Sequence, residues 1–345
     1  MTQNLVPAYT LPAANRQVLL ARRPEGIPGG DDFALAEARL PKLGEGSLLV
    51  RNLYLSVDPA QRGWTSDVAN YSAAVPIGSV MRALAVGIVV ESRNPAFAVD
   101  SFVYGWFGWQ DYAAATAADV ITAFAAPSLP LSAYAGLLGI SGLTAQIALA
   151  RYGSLTPGHV VIVSTAAGAV GSLIGQLARR SGARTIGLTG SDAKKAKLRD
   201  RYRFDVGINY RDGDLAAAID AAAPDGADLY FDNVGGPILD LVLRRMKVAG
   251  RVIQCGTASI DRWAPPPTGL RNEREVLVRR LSWQGFVVFD HSNGFPEAIS
   301  TLQQAALAGE LVYEEQVLDG LDEAPAALEM LYAGRNEGKL LIWAG

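Results

Sequence analysis

Cysteine occurs once in the 345 residues, as Cys255, and histidine twice, as His159 and His291. One cysteine excludes an internal disulfide and suits a reducing compartment, so a cytoplasmic location is expected. Zinc takes three or four Cys, His or carboxylate ligands. A structural site of cysteines is therefore excluded, a catalytic one has almost nothing to draw on, and no metal is expected. Neither histidine stands near a nucleophile elbow, so a Ser/His/Asp hydrolase is unsupported. Basic runs are missing too. With 31 Lys+Arg against 34 Asp+Glu, the formal net charge is -3, and nucleic acid is not an expected partner. No basic segment leads into an apolar core at the N-terminus, so no signal peptide is read.

Charge is absent altogether from residues 120–150. A membrane span needs about 20 unbroken apolar residues, and here Pro127, Pro130, Gly136, Gly139 and Gly142 interrupt the run. The stretch reads as a buried linker and helix. Half of the residues are apolar, so a large core is available, and the length suggests two domains of roughly 150 residues each.

The chain is organised around residues 159–182, HVVIVSTAAGAVGSLIGQLARRSG. Residues 160–163 are a short apolar run rich in β-branched residues, the mark of a buried parallel strand. A turn of small residues follows, and from Ala169 the apolar positions Val170, Leu173, Ile174, Leu177 and Ala178 recur at helical spacing. Gly182 then takes the place of a left-handed helix cap. Strand, tight turn and helix open a dinucleotide-binding fold, with Gly168, Ala169, Val170 and Gly171 at the pyrophosphate. Ala166 holds the first glycine position of the G-x-G-x-x-G fingerprint.

Before this unit the pattern is β: residues 16–21, 33–39, 47–55, 84–91, 101–107 and 110–115 read as strands between Gly and Pro turns, which suggests a small barrel or sandwich. After it, strands at 185–188, 206–209, 229–232, 251–255 and 282–288 alternate with helical stretches, which indicates a doubly wound parallel sheet. Helices near 298–308 and 325–332 and a strand at 339–343 close the chain.

An NAD site places a carboxylate at the end of the second strand, on the ribose 2′-hydroxyl. Here that strand is followed by Thr189, Gly190 and Ser191, then by Lys194, Lys195, Lys197 and Arg199, with Asp192 read as a helix cap. Hydroxyls and cations suit a 2′-phosphate, so NADP(H) is favoured over NAD(H).

Several segments are in one family's order. They are YLSVDP at 54–59, LGISGLTA at 138–145, AAGAVGS at 166–172, GSDAK at 190–194 and NY at 209–210. YFDNVGG at 230–236, CG at 255–256, GFVV at 285–288 and NEGKL at 336–340 complete the set. On these the chain resembles the zinc-independent medium-chain dehydrogenase/reductases, in the prostaglandin reductase and plant alkenal double-bond reductase branch. The resemblance implies an α/β protein. A GroES-like, β-rich catalytic domain would cover 1–130 and 310–345, and a Rossmann domain 131–309. It implies that Ser191, Lys194 and Tyr210 serve the 2′-phosphate end. Asn233, the loop with Cys255, Gly256, Thr257 and Asp261, then Phe286, Val287, Val288 and Asn336 would line the rest of the cofactor. A homodimer joined at the strand around 283–288 is expected. The family's tyrosine after Cys-Gly is replaced by Asp261, and its aromatic after Asp-Pro by Ala60, so the substrate pocket is altered.

The function expected is NADPH-dependent reduction of the carbon–carbon double bond of an enone or enal. Tyr54 or Tyr71 would support the developing enolate oxygen. A quinone reductase and a non-catalytic NADPH-binding protein are the alternatives.

Overall fold

Strands and helices follow the two periodicities of the sequence, and they separate into two units along the chain. The computed structural model describes residues 6–68, 70–260, 263–265 and 267–345. One unit comprises Met1–Gly139 and Glu315–Gly345, the other Ile140–Glu314. The sequence-based borders lie nine residues earlier at the first crossing and five earlier at the second.

The first unit begins with β1 (Ala14–Leu20) and β2 (Phe33–Arg39), an antiparallel pair in register from Ala14–Arg39 to Leu20–Phe33. Then come β3 (Ser47–Ser56), β4 (Leu84–Ser92), β5 (Phe102–Trp106), β6 (Tyr112–Thr116) and β7 (Val120–Phe124). The last is a correction. Residues 120–124 are not linker but a strand antiparallel to β5, with four of its five residues half-buried. The expected barrel or sandwich is, in this unit, the β1–β2 ribbon and one seven-stranded sheet, in which the long β3 pairs with both β4 and β6. Val18, Leu20, Leu48, Val50, Leu55, Trp64, Phe107 and Trp109 fill its core. Burying each stabilises by about 1.5–3 kcal/mol.

In the second unit β8 (Val160–Val163), β9 (Arg184–Thr189), β10 (Val206–Asn209), β11 (Ala227–Asp232), β12 (Met246–Gln254) and β13 (Ser282–Gly285) form one sheet. All five pairings are parallel, in the order β10-β9-β8-β11-β12-β13. That is the doubly wound order, with the chain reversing direction across the sheet at β8. The sixth strand ends at Gly285, three residues earlier than its apolar run suggests. Phe286 and Val288 are apolar because they are buried side chains of the loop that follows. The first unit is completed by β14 (Glu315–Asp319), which the sequence did not reveal, and β15 (Lys339–Trp343), which lies between β14 and β3. Among the described residues no helix is long and apolar enough to cross a membrane.

Candidate active site and its relatives

The turn after β8 is built around a residue other than glycine. Thr165 carries the left-handed backbone, at φ 51, an uncommon state for a β-branched residue. Ala166, in the first glycine position, is tolerated because the next strand makes room. A Cβ built on Gly187 of β9 would lie 2.8 Å from the Ala166 methyl. Helix Ala169–Arg180 follows, and Gly182 at φ 78 closes it as expected. Its N-cap, Gly168, offers no side-chain bond to the first turn. Those N–H groups, from Ala169, Val170 and Gly171, are the kind that an anion satisfies. Gly171 itself has another duty. A Cβ there would meet the Thr165 carbonyl at 2.4 Å, so this glycine lets the helix seat on its own turn.

Beside that turn lies a buried carboxylate that sequence reasoning passed over. Asp232 ends β11 with no exposure. It accepts bonds from Ser164 Oγ (3.0 Å), Tyr230 Oη (2.8 Å), Val234 N (2.9 Å), Gly235 N (3.0 Å) and Gln254 Nε2 (2.7 Å). Charge-assisted bonds of this kind each contribute about 1.5–3 kcal/mol and offset the cost of burying the charge. The carboxylate thereby fixes the ends of β8, β11 and β12 together. Asn233 is fixed as well, donating from its backbone N to Ser164 Oγ (2.8 Å) and from Nδ2 to Ser164 O (2.9 Å). Burial and the Asp232 charge hold the Tyr230 phenol well above its ordinary range. The same two causes push the Cys255 thiol up to about 12.

After Cys255, Gly256 packs so closely that a Cβ would stand 2.6 Å from the Asn233 carbonyl, while Thr257 is exposed. Asp261, expected in this loop, lies outside the described residues. Phe286 stacks on His291 at 5.3 Å and meets Tyr152 edge-on at 6.1 Å. With Phe286 and Val288 turned inward, this stretch can offer a ligand its backbone and the half-buried Val287.

At the end of β9 the helix cap is Ser191, not Asp192: its Oγ accepts from Lys194 N at 3.3 Å. Asp192 instead accepts from Asn209 Nδ2 at 3.2 Å. Two of the four cations named above have carboxylate partners. Lys197 pairs with Glu314 at 2.9 Å, and Arg199 with Asp200 at 2.8 Å. Lys194 stays half-buried in the first turn. Tyr210 comes in from the end of β10, its hydroxyl 2.7 Å from where a Gly190 Cβ would be.

In the first unit Tyr54 lies mid-strand in β3, opposite Val86 and Trp343, with its ring 4.8 Å from the Trp343 ring. Burial, and then the charge of Glu315, raise its pKa above the ordinary phenol value, which already leaves the group neutral and able to donate a hydrogen bond. Glu315 is itself unusual. Its Oε1 is buried without a hydrogen-bond partner, and burial raises its pKa to about 7. Lys339, the register partner of Glu315 on β15, makes a buried ion pair from Nζ to Asp58 Oδ1 at 2.7 Å, with Nζ also donating to Val57 O at 2.8 Å. Tyr71, the other expected donor, is 54% exposed and has Arg82 and Tyr332 as electrostatic neighbours. Asn336 belongs to this unit too, buried and donating to Gly338 O at 2.8 Å.

Residues 16–123 match the family described as the N-terminal domain of oxidoreductase, and residues 169–304 that described as zinc-binding dehydrogenase. The chain is 36% identical over 335 residues to the NADP(+)-dependent 2-alkenal reductase of Nicotiana tabacum, covering 95% of this chain and 97% of that protein. It is 35% identical over 323 residues to prostaglandin reductase 1 of Bos taurus, covering 92% and 96%. Among solved structures, CurA from Vibrio vulnificus in complex with NADPH superposes with a TM-score of 0.89 at 33% identity, covering 96% of this chain and 99% of that one. With its two units and its doubly wound sheet, the chain belongs to the zinc-independent medium-chain dehydrogenase/reductases, in the branch of the alkenal and prostaglandin reductases.

Proposed function

We propose that this protein reduces the carbon–carbon double bond of α,β-unsaturated ketones or aldehydes. The cofactor is NADP(H), whose nicotinamide supplies the hydride. The residues present suit it. The uncapped helix start at Gly168 suits a pyrophosphate, and the end of β9 holds Ser191, Lys194 and Tyr210 where an NAD site would hold a carboxylate. Asn233, Gly256, Thr257, the Phe286–Val288 backbone and Asn336 would hold the remainder.

One observation carries the chemical reading: Tyr54 is a half-buried phenol held mid-strand in β3, its ring 4.8 Å from that of Trp343. When hydride reaches the β-carbon, negative charge develops on the carbonyl oxygen. With one cysteine and two histidines in the chain, a metal is a poor candidate to neutralise it, and hydrogen-bond donors remain. Tyr54 is better placed than Tyr71, because a half-buried donor has already given up water whereas an exposed one must still do so. Tyr54 would donate a hydrogen bond to the oxygen, and water would supply the proton to the α-carbon.

Assembly is part of the proposal. β13 is an edge strand, exposed along its length, with Trp283 42% exposed. Such an edge invites pairing with a second copy.

A panel of enones, enals and quinones, followed by NADPH oxidation and product analysis, tests the reaction. Saturated ketones and aldehydes are expected. Allylic alcohols from carbonyl reduction, turnover of quinones alone, or tight NADPH binding with no turnover would overturn it. Tyr54→Phe removes one oxyanion donor and should lower kcat by about 10²–10³ with NADPH affinity unchanged.

A further inference from the structure

The end of β9 raises the question of how many positive charges meet the 2′-phosphate. The nearby sequence is rich in cations, but Lys197 and Arg199 already have carboxylate partners. Arg211 does not. It is exposed, and among the described residues it forms no ion pair.

Its position is set by its neighbours. A Cβ built on Gly190 would lie 2.7 Å from Tyr210 Oη and 3.4 Å from Arg211 Nε. The tyrosine hydroxyl and the guanidinium therefore lean over the same glycine, one residue before the Ser191 cap and four before Lys194. The guanidinium carbon stands 5.8 Å from the Tyr210 ring centroid, within reach of a cation–π contact that limits where the side chain can go. The backbone is pinned as well. Arg211 N donates to Asn209 Oδ1 at 3.1 Å, and Tyr210 N to Thr189 O at 2.9 Å. A planar, permanently charged fork on an aromatic ring, beside a helix start and a lysine, is suited to a phosphate monoester.

We infer that Arg211 is a second cation on the 2′-phosphate of NADPH and sets the preference for NADPH over NADH together with Lys194. This rests on reading the Ser191–Lys194 corner as the 2′-phosphate end.

The experiment measures Kd for NADPH, NADH, 2′,5′-ADP and 5′-AMP by calorimetry on the full chain, as wild type, Arg211→Ala, Arg211→Lys and Lys194→Ala. Removing one charge-assisted hydrogen bond at an exposed site should weaken NADPH and 2′,5′-ADP by about 10-fold. NADH and 5′-AMP should change by less than about twofold, and Arg211→Lys should recover most of the loss. The salt dependence of NADPH binding should be shallower in Arg211→Ala. Equal losses for phosphorylated and unphosphorylated ligands would overturn the proposal and make Arg211 an adenine or packing contact. So would an unchanged NADPH affinity in Arg211→Ala while Lys194→Ala still discriminates, which leaves the corner's assignment standing. If neither variant discriminates, the corner is not the 2′-phosphate end and both readings fall.

Discussion

Glu315→Gln should change the sign of one part of this protein's pH response. The carboxyl is shut off from water at Oε1, and burial raises its pKa from 4.5 to about 7, against the opposing pull of the Ser132 hydroxyl and the Lys339 ammonium. A carboxyl with a raised pKa binds its proton more tightly in the folded chain than in the unfolded one. Its contribution to stability is therefore complete below pH 4.5 and is lost as pH rises through about 7. At about 1.4 kcal/mol per pKa unit the loss amounts to about 3 kcal/mol. Glutamine copies the protonated shape and cannot ionise. Urea unfolding of wild type and variant in parallel, from pH 4.5 to 8, should give similar stabilities at the acid end. At pH 8 the variant should be more stable by about 3 kcal/mol. Other carboxylates titrate over the same range in both proteins and cancel in the difference. A gap between the two proteins that does not move with pH would refute the reasoning, because it would mean that Glu315 is ionised, or solvated, throughout.

Lys339→Met should cost about 3–5 kcal/mol in urea unfolding, because it leaves the Asp58 carboxylate buried with its charge uncompensated. Asp261→Asn should leave the enone reduction rate within about tenfold: an ordinary aspartate titrates near ~3.9, and only a rise of about three units would make it a general acid at neutral pH. A drop of several orders of magnitude at unchanged NADPH affinity would instead identify it as the proton donor. Trp283→Glu should shift sedimentation at micromolar concentration from dimer towards monomer, and a wild type that sediments as a monomer would remove the dimer proposal.

The doubly wound sheet was legible because its central strands, such as Val160–Val163 and Ala227–Asp232, are short apolar runs, and the helix Ala169–Arg180 has an apolar stripe. Residues 206–209 and 339–343 were read to the residue. The misreadings share a cause: apolar composition does not say which kind of burial produces it. Residues 286–288 look like strand but lie beyond it, with Phe286 and Val288 turned inward and Val288 opening a 3-10 turn. Residues 120–124 look like linker but are strand. β14 is polar and half exposed, so its sequence carries no apolar signal. At the site, glycines and a lysine after a strand are local signals and could be read. Asp232 and Glu315 could not. The first is a hub only because three strand ends converge on it. The second is perturbed by burial, among groups such as Gly136 and Ser132 that are far away in sequence. Arg211 had a local signal, a cation directly after Tyr210, but its meaning depends on Gly190 lying underneath.

The Cys255 thiol, pushed up to about 12, has a consequence in the chemistry of electrophiles. Enals and enones alkylate thiolates, and an ordinary cysteine is a few per cent ionised at neutral pH. With its pKa pushed up in this way, Cys255 carries far less thiolate at pH 7 than an ordinary cysteine. The sole cysteine of the chain sits in the loop proposed to hold the cofactor, where an adduct would be expected to block turnover. Burial and Asp232 together thus lower the nucleophilicity of Cys255, which under the proposed reaction would leave the one soft nucleophile of the chain slow to react with the protein's own substrates.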